Sequence, residues 1–88
     1  MPIDLAIVSP ERTLVETVVD SVVAPGSEGV FGVLPAHEPY LAPLQAGTLR
    51  YREGGRTHDV PVAGGFVEVT QERVTALVLE AEAHGSEA

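Results

Sequence analysis

Hydrophobic and polar residues alternate along much of the chain, which is the pattern of strands with one face buried. Near the start, Ile3, Leu5 and Ile7 carry this alternation, and Leu49 and Tyr51 repeat it in the middle of the chain. Clusters of Gly, Pro, Ser and Asp separate the apolar runs at intervals of about 8–12 residues. The pattern therefore predicts an all-β domain, built as a sandwich or a barrel.

The run LVETVVDSVVAPG, residues 14–26, fits two kinds of secondary structure. Helical spacing is approached by four of its valines, Val15, Val18, Val19 and Val22. However, Val and Thr dominate the run, and β-branched side chains favour strands. A Pro-Gly pair at residues 25–26 also ends the run at once. We therefore predict strand here.

Two glycine pairs mark the second half of the chain. Gly54 and Gly55, in TLRYREGGRTHDVPV, tolerate positive φ and predict a tight hairpin. Pro61 cannot donate to a ladder, so the returning strand is expected at a sheet edge or a bulge. Gly64 and Gly65 are predicted to open a separate strand, GGFVEV, before the turn TQER.

The last predicted strand, VTALVLEAE, is apolar on both faces. One face carries Val74, Ala76 and Val78, while the other carries Leu77 and Leu79 beside a threonine. A strand that is apolar on both faces is covered on both sides or lies against a partner.

Length and cysteine content narrow the class of protein. The chain has 88 residues, which suits one domain. We assign residues 1–82 to the β domain and residues 83–88 to a short acidic tail that frays. The chain has no cysteine, which excludes disulfides and fits a reducing compartment. Since no apolar run of about 18 residues exists, and the N-terminus lacks the features of a leader, we expect no membrane span and no cleaved signal.

The charge balance excludes further functions. Thirteen acidic residues face five basic ones, all of them arginine, for a net charge of −8. Without lysine the chain cannot use a phosphate-loop lysine or a Schiff base. An acidic domain repels phosphate backbones, so nucleic acid is not an expected partner, whereas a basic or polar protein surface is.

His37 is the strongest candidate for chemistry. It precedes Glu38, but position 41 is Leu where a zinc protease helix needs a second histidine, and Pro39 opposes a helix. A general base would need a nearby nucleophile, and Ser27, the only close hydroxyl, lacks the Gly-x-Ser-x-Gly elbow. We expect no catalytic residue, no metal and no cofactor, and interpret His37 as a loop histidine.

The segment Gly26–Leu44, GSEGVFGVLPAHEPYLAPL, is the most unusual feature of the sequence. Its glycines, at positions 26, 29 and 32, are expected to allow tight turns rather than to bind phosphate. A small core cannot bury all of its large apolar side chains, which are Val30, Phe31, Val33, Leu34, Tyr40 and Leu41. Apolar residues exposed on a proline-stiffened loop are typical of a protein–protein contact.

This segment, followed by GGFVEV and VTALVLEA, resembles the epsilon subunit of F-type ATP synthases, which is called delta in mitochondria. The shared pattern is a Gly-Glu-Gly turn, then Gly-x-Leu-Pro-x-His-x-Pro and Leu-x-x-Gly-x-Leu, then a Gly-Gly-aromatic-x-Glu-Val strand and a Val-Thr-x-Leu strand. It runs in order from Leu5 to Glu82. The resemblance implies a flattened β-sandwich of about ten short strands.

The resemblance also implies a function. The chain would be one copy of a central-stalk subunit that links the gamma subunit to the membrane c-ring, so that rotation is coupled to ATP synthesis without catalysis of its own. It would be peripheral, on the cytoplasmic face of the bacterial inner membrane. An alternative is a stand-alone β-sandwich that binds a protein or a ligand, and a third is a small hydrolase using His37.

Carried over to this chain, the family's turn carboxylate falls on Glu28 and its loop histidine on His37. Val30 stands where some relatives have a second carboxylate. The full interface implied for gamma and the c-ring is Glu28, Val30, Phe31, Pro35, His37, Pro39 and Leu41. Most bacterial relatives continue into a C-terminal helical hairpin that can inhibit hydrolysis. If the gene ends at residue 88, we expect neither that inhibition nor ATP binding.

Overall fold

The computed structural model describes residues 2–81. Within that range every regular element is a strand, so the all-β prediction is confirmed. The predicted tail at residues 83–88 lies outside the described residues. In chain order the strands are β1 (Ile3–Val8), β2 (Thr13–Val19), β3 (Ser21–Gly26), β4 (Gly29–Gly32), β5 (Tyr40–Leu44), β6 (Gly47–Glu53), β7 (Arg56–Val69) and β8 (Arg73–Glu80).

Residues 2–81 form eight strands where about ten were expected, and β7 accounts for part of the difference. This strand is 14 residues long and contains Gly64 and Gly65 in its interior. The prediction that the glycine pair opens a separate strand is therefore wrong. The first half of β7 pairs with β6, while its second half pairs with β5 and β8. One continuous strand thus serves both layers of the sandwich.

The ambiguous run at residues 14–26 forms β2 and β3 and no helix, as its β-branched composition predicts. The two strands meet at Asp20, whose backbone N–H donates to the carbonyl of Arg52 at 2.7 Å. Because β2 pairs with β1 and β3 pairs with β6, the chain crosses from one layer to the other at Asp20.

The hydrogen-bonded order is β2-β1-β8-β7-β5-β3-β4, with β6 pairing to both β7 and β3. One layer contains β2, β1, β8, the second half of β7 and β5. The other contains the first half of β7 with β6, β3 and β4. All pairs are antiparallel except β1 with β8, which is parallel.

The core lies between the two layers and is rich in valine and other aliphatic residues. In β8, Val74, Ala76 and Val78 share one face as predicted, and the structure shows that this face points inward and is buried. Short β-branched side chains suit this position because they pack closely on a pleated surface. The other fully buried aliphatic side chains are Ile3, Leu5, Ile7, Val19, Val33, Leu49, Val62, Val67 and Val69.

The hairpin at Gly54 and Gly55 forms as predicted. The two residues have φ of 60° and 84°, and Glu53 pairs with Arg56 across them. Pro61 lies beside a register shift between Val62 and Gly64. Its strand segment pairs only with β6, so the expectation of an edge or bulge position is confirmed as well.

Gly65 is the position where a side chain is least tolerable. Its φ is 140°, and a Cβ there would overlap the carbonyl oxygen of Leu77 and lie 2.9 Å from the Cα of Val78. Gly64, with φ of 138°, is bent in the same sense. The glycine pair therefore lets β7 lie against β8 while it passes between the layers.

Replacing Gly65 by alanine is expected to lower the free energy of unfolding by about 2 kcal/mol or more, since it adds a backbone collision to an unfavourable φ. Urea unfolding measures this change. Gly32→Ala is the matched control, because Gly32 has no positive φ and its nearest contact would be at 4.0 Å. Equal effects of the two substitutions would contradict the role assigned to Gly65.

Candidate functional site

Four of the predicted interface residues line one open groove of about 480 Å³, which we call the turn groove. Glu28 lies exposed in the turn between β3 and β4, and Val30 and Phe31 follow it in β4. Leu41 reaches the same groove from β5. The structure therefore places Glu28 and Leu41, which are 13 positions apart in the sequence, in the same groove.

The turn is held against β5 by backbone hydrogen bonds. Ser27 N–H donates to the carbonyl of Pro43 at 3.1 Å, and Gln45 N–H donates to the carbonyl of Pro25 at 2.9 Å. At Gly26 a Cβ would lie 2.7 Å from the ring of Phe31, so glycine makes room for that ring. Of the three glycines expected to form tight turns, Gly29 alone has positive φ.

The other predicted residues lie on the loop between β4 and β5. Two backbone hydrogen bonds fix this loop: at its start Val33 N–H donates to the carbonyl of Val22, and in its middle Ala36 N–H donates to the carbonyl of Thr70. Pro35 and His37 line a second groove with residues 2–3 and 71–72. Pro39 is exposed and lines neither groove.

Exposure supports a binding surface in this segment. The side chains of Val30 and Leu41 are 73% and 59% exposed, whereas Phe31 is partly buried and Val33 fully buried. The prediction that the apolar residues of the segment cannot all be buried is confirmed. Because Val30 pairs with Pro25 on β3 and Leu41 pairs with Glu68 on β7, these side chains are presented on a fixed backbone.

The geometry does not support a role for His37 as a general base or as a metal ligand. The imidazole lines the second groove, while Ser27 lines the turn groove, so the hydroxyl considered as its partner belongs to the other groove. Over residues 2–81, no group of three or more His, Cys, Asp or Glu side chains could hold a metal ion.

A larger apolar surface lies on the outer face of the layer that contains β8. The ladder aligns Pro43 with Phe66, Phe66 with Leu77, and Leu77 with Val8 in one row across four strands. Phe66, Leu77 and Leu79 are 48%, 44% and 54% exposed. We define the sheet-face patch as Val8, Pro10, Pro43, Phe66, Leu77 and Leu79.

The outer face of the opposite layer is polar by comparison. Arg50 on β6 donates through Nε to Asp59 on β7 at 2.7 Å. The hydrogen bond from this guanidinium holds the pKa of Asp59 below its usual range. Arg52 and Thr57 pair next to them. The exposed row of several apolar side chains therefore lies on the layer that contains β8, whereas Val30 on β4 is the large apolar side chain most exposed on the opposite layer within residues 2–81.

A polar network closes one end of the sheet-face patch. The Ser9 hydroxyl accepts the N–H groups of Glu11 and Arg12, both at 3.2 Å, and donates to Glu80 at 3.0 Å. Arg12 donates to the other oxygen of Glu80 at 2.9 Å. These hydrogen bonds, first from Arg12 and then from Ser9, lower the pKa of the Glu80 carboxyl. The network fixes the end of β8 to the β1–β2 turn.

The residues predicted from the sequence to form the interface do not include the sheet-face patch. One part of the patch is indicated by the sequence of β8, where Leu77 and Leu79 make the second face of the strand apolar. Phe66 gave no separate signal, because its outward direction depends on how β7 bends at the glycine pair. Pro43 and Leu41 connect the patch to the turn groove along β5.

The fold and its outer surface define a small β-sandwich domain with an exposed apolar face on one sheet. The chain belongs to the family described as "ATP synthase, Delta/Epsilon chain, beta-sandwich domain", whose model matches residues 2–84. An ATP synthase epsilon chain of Nitratidesulfovibrio vulgaris (strain DSM 19637 / Miyazaki F) is 50% identical over 78 residues, which are 89% of this chain and 58% of that protein.

Two further comparisons also match ATP synthase proteins. The ATP synthase epsilon chain of Anaeromyxobacter sp. (strain Fw109-5) is 46% identical over 97% of this chain and 64% of its own length. A chain in the cryo-EM structure of the Euglena gracilis mitochondrial ATP synthase (OSCP/F1/c-ring, rotational state 1) superposes with a TM-score of 0.81 at 27% identity, covering 92% of this chain and 52% of that one. This chain thus spans about three fifths of the length of these bacterial relatives. No helix that could cross a membrane occurs in the part of the chain that the structure describes.

Replacing Glu80 by glutamine is expected to lower stability near neutral pH and to have less effect in acid. The pKa of Glu80 is lowered in the folded state, so its stabilising contribution is present above the pKa of the unfolded carboxyl, about 4.3. That contribution is lost as the pH falls through the lower folded value. Urea unfolding at a series of pH values measures the difference between parent and variant.

The control for this experiment is Glu72→Gln, which removes a carboxylate in the turn between β7 and β8. We expect a smaller and less pH-dependent change from it. A Glu80→Gln effect that stays constant from neutral pH to acid would contradict the charge-based role of Glu80.

Proposed function

We propose that this chain is a central-stalk subunit of an F-type ATP synthase, which links the gamma subunit to the c-ring and has no catalytic activity of its own. Family membership supports the proposal, as does the presence of the c-ring in the complex that contains the Euglena relative. The observation that carries it is the sheet-face patch, because a rotor subunit without chemistry must work through surfaces that bind other subunits.

We assign the sheet-face patch to gamma. Stable interfaces usually bury about 800 Å² on each partner, with an apolar centre and a polar rim. The patch supplies such a centre with Phe66, Leu77 and Leu79, and Leu41 extends it along β5. At its border Glu68 lies opposite Leu41 in the ladder. A gamma surface with apolar residues and a basic rim would complement this arrangement.

The turn between β3 and β4 is assigned to the polar loops of the c-ring. Glu28 is exposed there beside Val30, and its charge would steer and register the contact more than hold it. Val30 makes the contact less charged than a second carboxylate would. Pro35, His37 and Pro39, on the neighbouring loop, are proposed to complete the surface toward the foot of gamma and the ring.

Transmission of rotation requires that both surfaces belong to one stiff body. Pro43 on β5 lines the turn groove and the sheet-face patch, so a single strand connects them. That strand is paired with β7 over all five of its residues. A force applied at the turn would reach the patch through backbone hydrogen bonds rather than through a flexible linker.

The remaining parts of the proposal concern assembly and location. One copy would occupy each complex, on the cytoplasmic face of the bacterial inner membrane, and be held there through its partners. No metal, cofactor or nucleic acid would be involved. The net charge of −8 supports the last point, because it opposes approach to a phosphate backbone.

Co-purification with gamma tests the patch. We expect the parent chain to capture purified gamma and the Phe66→Asp and Leu79→Asp variants to bind about tenfold or more weakly, because each buries a charge in an apolar contact. Val18→Asp is the matched control, since Val18 is also an exposed apolar residue but lies beside Asp4 and away from the patch, and this variant should bind as the parent does. If Phe66→Asp and Leu79→Asp bound gamma as the parent does, the assignment of the patch would fail.

Charge reversal at Glu28 tests the second surface. We expect Glu28→Lys to leave gamma capture unchanged and to weaken association of the gamma complex with c-ring-containing membranes, with a reduced dependence on salt. Asp20→Lys is the control, because Asp20 is exposed where β2 meets β3 and lies outside both grooves and the sheet-face patch. Loss of gamma binding in Glu28→Lys, or full association with the ring, would contradict the assignment.

A further inference from the structure

Strand β2 forms a backbone ladder along one edge only, and an exposed ion pair of Glu16 with Arg73 on β8, at 3.8 Å, adds to that attachment. It pairs with β1 through a ladder from Ile3 and Val19 to Val8 and Thr13. Toward β6 it forms no ladder, and the backbone bond from Asp20 to Arg52 ties only the point where β2 ends. The line between β2 and β6, which we call the seam, is therefore closed by side chains.

One side-chain hydrogen bond crosses the seam. The Thr17 hydroxyl on β2 donates to Oε2 of Glu53 on β6 at 2.9 Å. The other carboxylate oxygen, Oε1, lies 3.9 Å from Nε2 of His58 on β7. We call the pair Thr17 and Glu53 the clasp.

Groups on the hairpin hold the clasp in position. The ring of His58 stacks on Tyr51, with 4.9 Å between the ring centroids and 18° between the planes. Tyr51 is buried, and burial raises the pKa of its hydroxyl. Arg56 pairs with Glu53 in the ladder and adds a positive charge on the same face. On β2 the neighbouring inward residues are Val15 and Val19, which bring no charge to the seam.

We propose that β2 is a strap that opens as a unit, separating from β1 as well as at the seam, and that the clasp of Thr17 and Glu53 sets how often it does so. Local opening takes place where backbone hydrogen bonds are few and contacts are sparse. The open state keeps the remaining layers folded and exposes the inner faces of Val19 and Tyr51. This inference does not depend on the proposed partners, since it concerns the isolated chain.

Native-state hydrogen exchange of the isolated 88-residue chain tests the strap. The probes are the β2 amides that donate to β1, with the amides of β8 reporting global unfolding. We expect the β2 amides to exchange faster than those of β8 in the parent. Thr17→Val should speed the β2 amides further by about fivefold, the effect of one lost hydrogen bond. It should speed the β8 amides by the same factor, because the bond is broken in the strap-open state and in the unfolded state alike, so the β2 amides remain the faster set.

The matched control is Thr57→Val, at an exposed threonine on the outer face of the same hairpin. It should leave the exchange rates of both β2 and β8 at their parental values. Glu53→Ala removes the acceptor of the same bond and tests the clasp if Thr17→Val does not fold. Exchange of β2 and β8 amides at one common rate in the parent, or β2 exchange that Thr17→Val leaves unchanged, would overturn the proposal.

Discussion

The bend of β7 at Gly64 and Gly65 is the constraint on which both the core and the outer surface depend. The backbone of Gly65 lies so close to the Leu77 carbonyl that a Cβ has no room, and the positive φ of both glycines turns the strand between layers. After the bend, Val67 and Val69 point into the core and Phe66 points out. Because side chains alternate with a period of two, a slip of one residue would exchange these roles.

A chain of this size cannot enclose all of its apolar side chains, and the structure shows where the surplus lies. The inner faces of both layers are filled by aliphatic residues. On the outside, one layer carries the sheet-face patch, while the other carries the pair Arg50 and Asp59. Segregation of this kind is typical of a domain that works in a complex, since a monomer gains nothing from exposing Phe66 and two leucines on one face.

The sequence predicts those features that neighbouring residues determine. Gly54 and Gly55 are an example, because each side of this pair carries an alternating strand pattern and two glycines tolerate the positive φ of a hairpin turn. Gly64 and Gly65, the same dipeptide, form a bend inside one strand, and only the approach of β8 distinguishes the two cases. The exposure of Val30 and Leu41 could be predicted from the crowded segment around them. The row from Pro43 to Val8 could not, because it depends on the register of four strands that are distant in sequence.

The sheet-face patch, on the outer face of β7 and β8, is the proposed binding surface for gamma. Relaxation of leucine methyl groups by a soluble paramagnetic agent, recorded with and without purified gamma, tests this assignment. We expect the methyls of Leu77 and Leu79 to be strongly relaxed in the free chain and protected in the complex, whereas those of buried Leu5 and Leu49 should stay protected throughout. A complex in which Leu77 and Leu79 remain as accessible as in the free chain would contradict it.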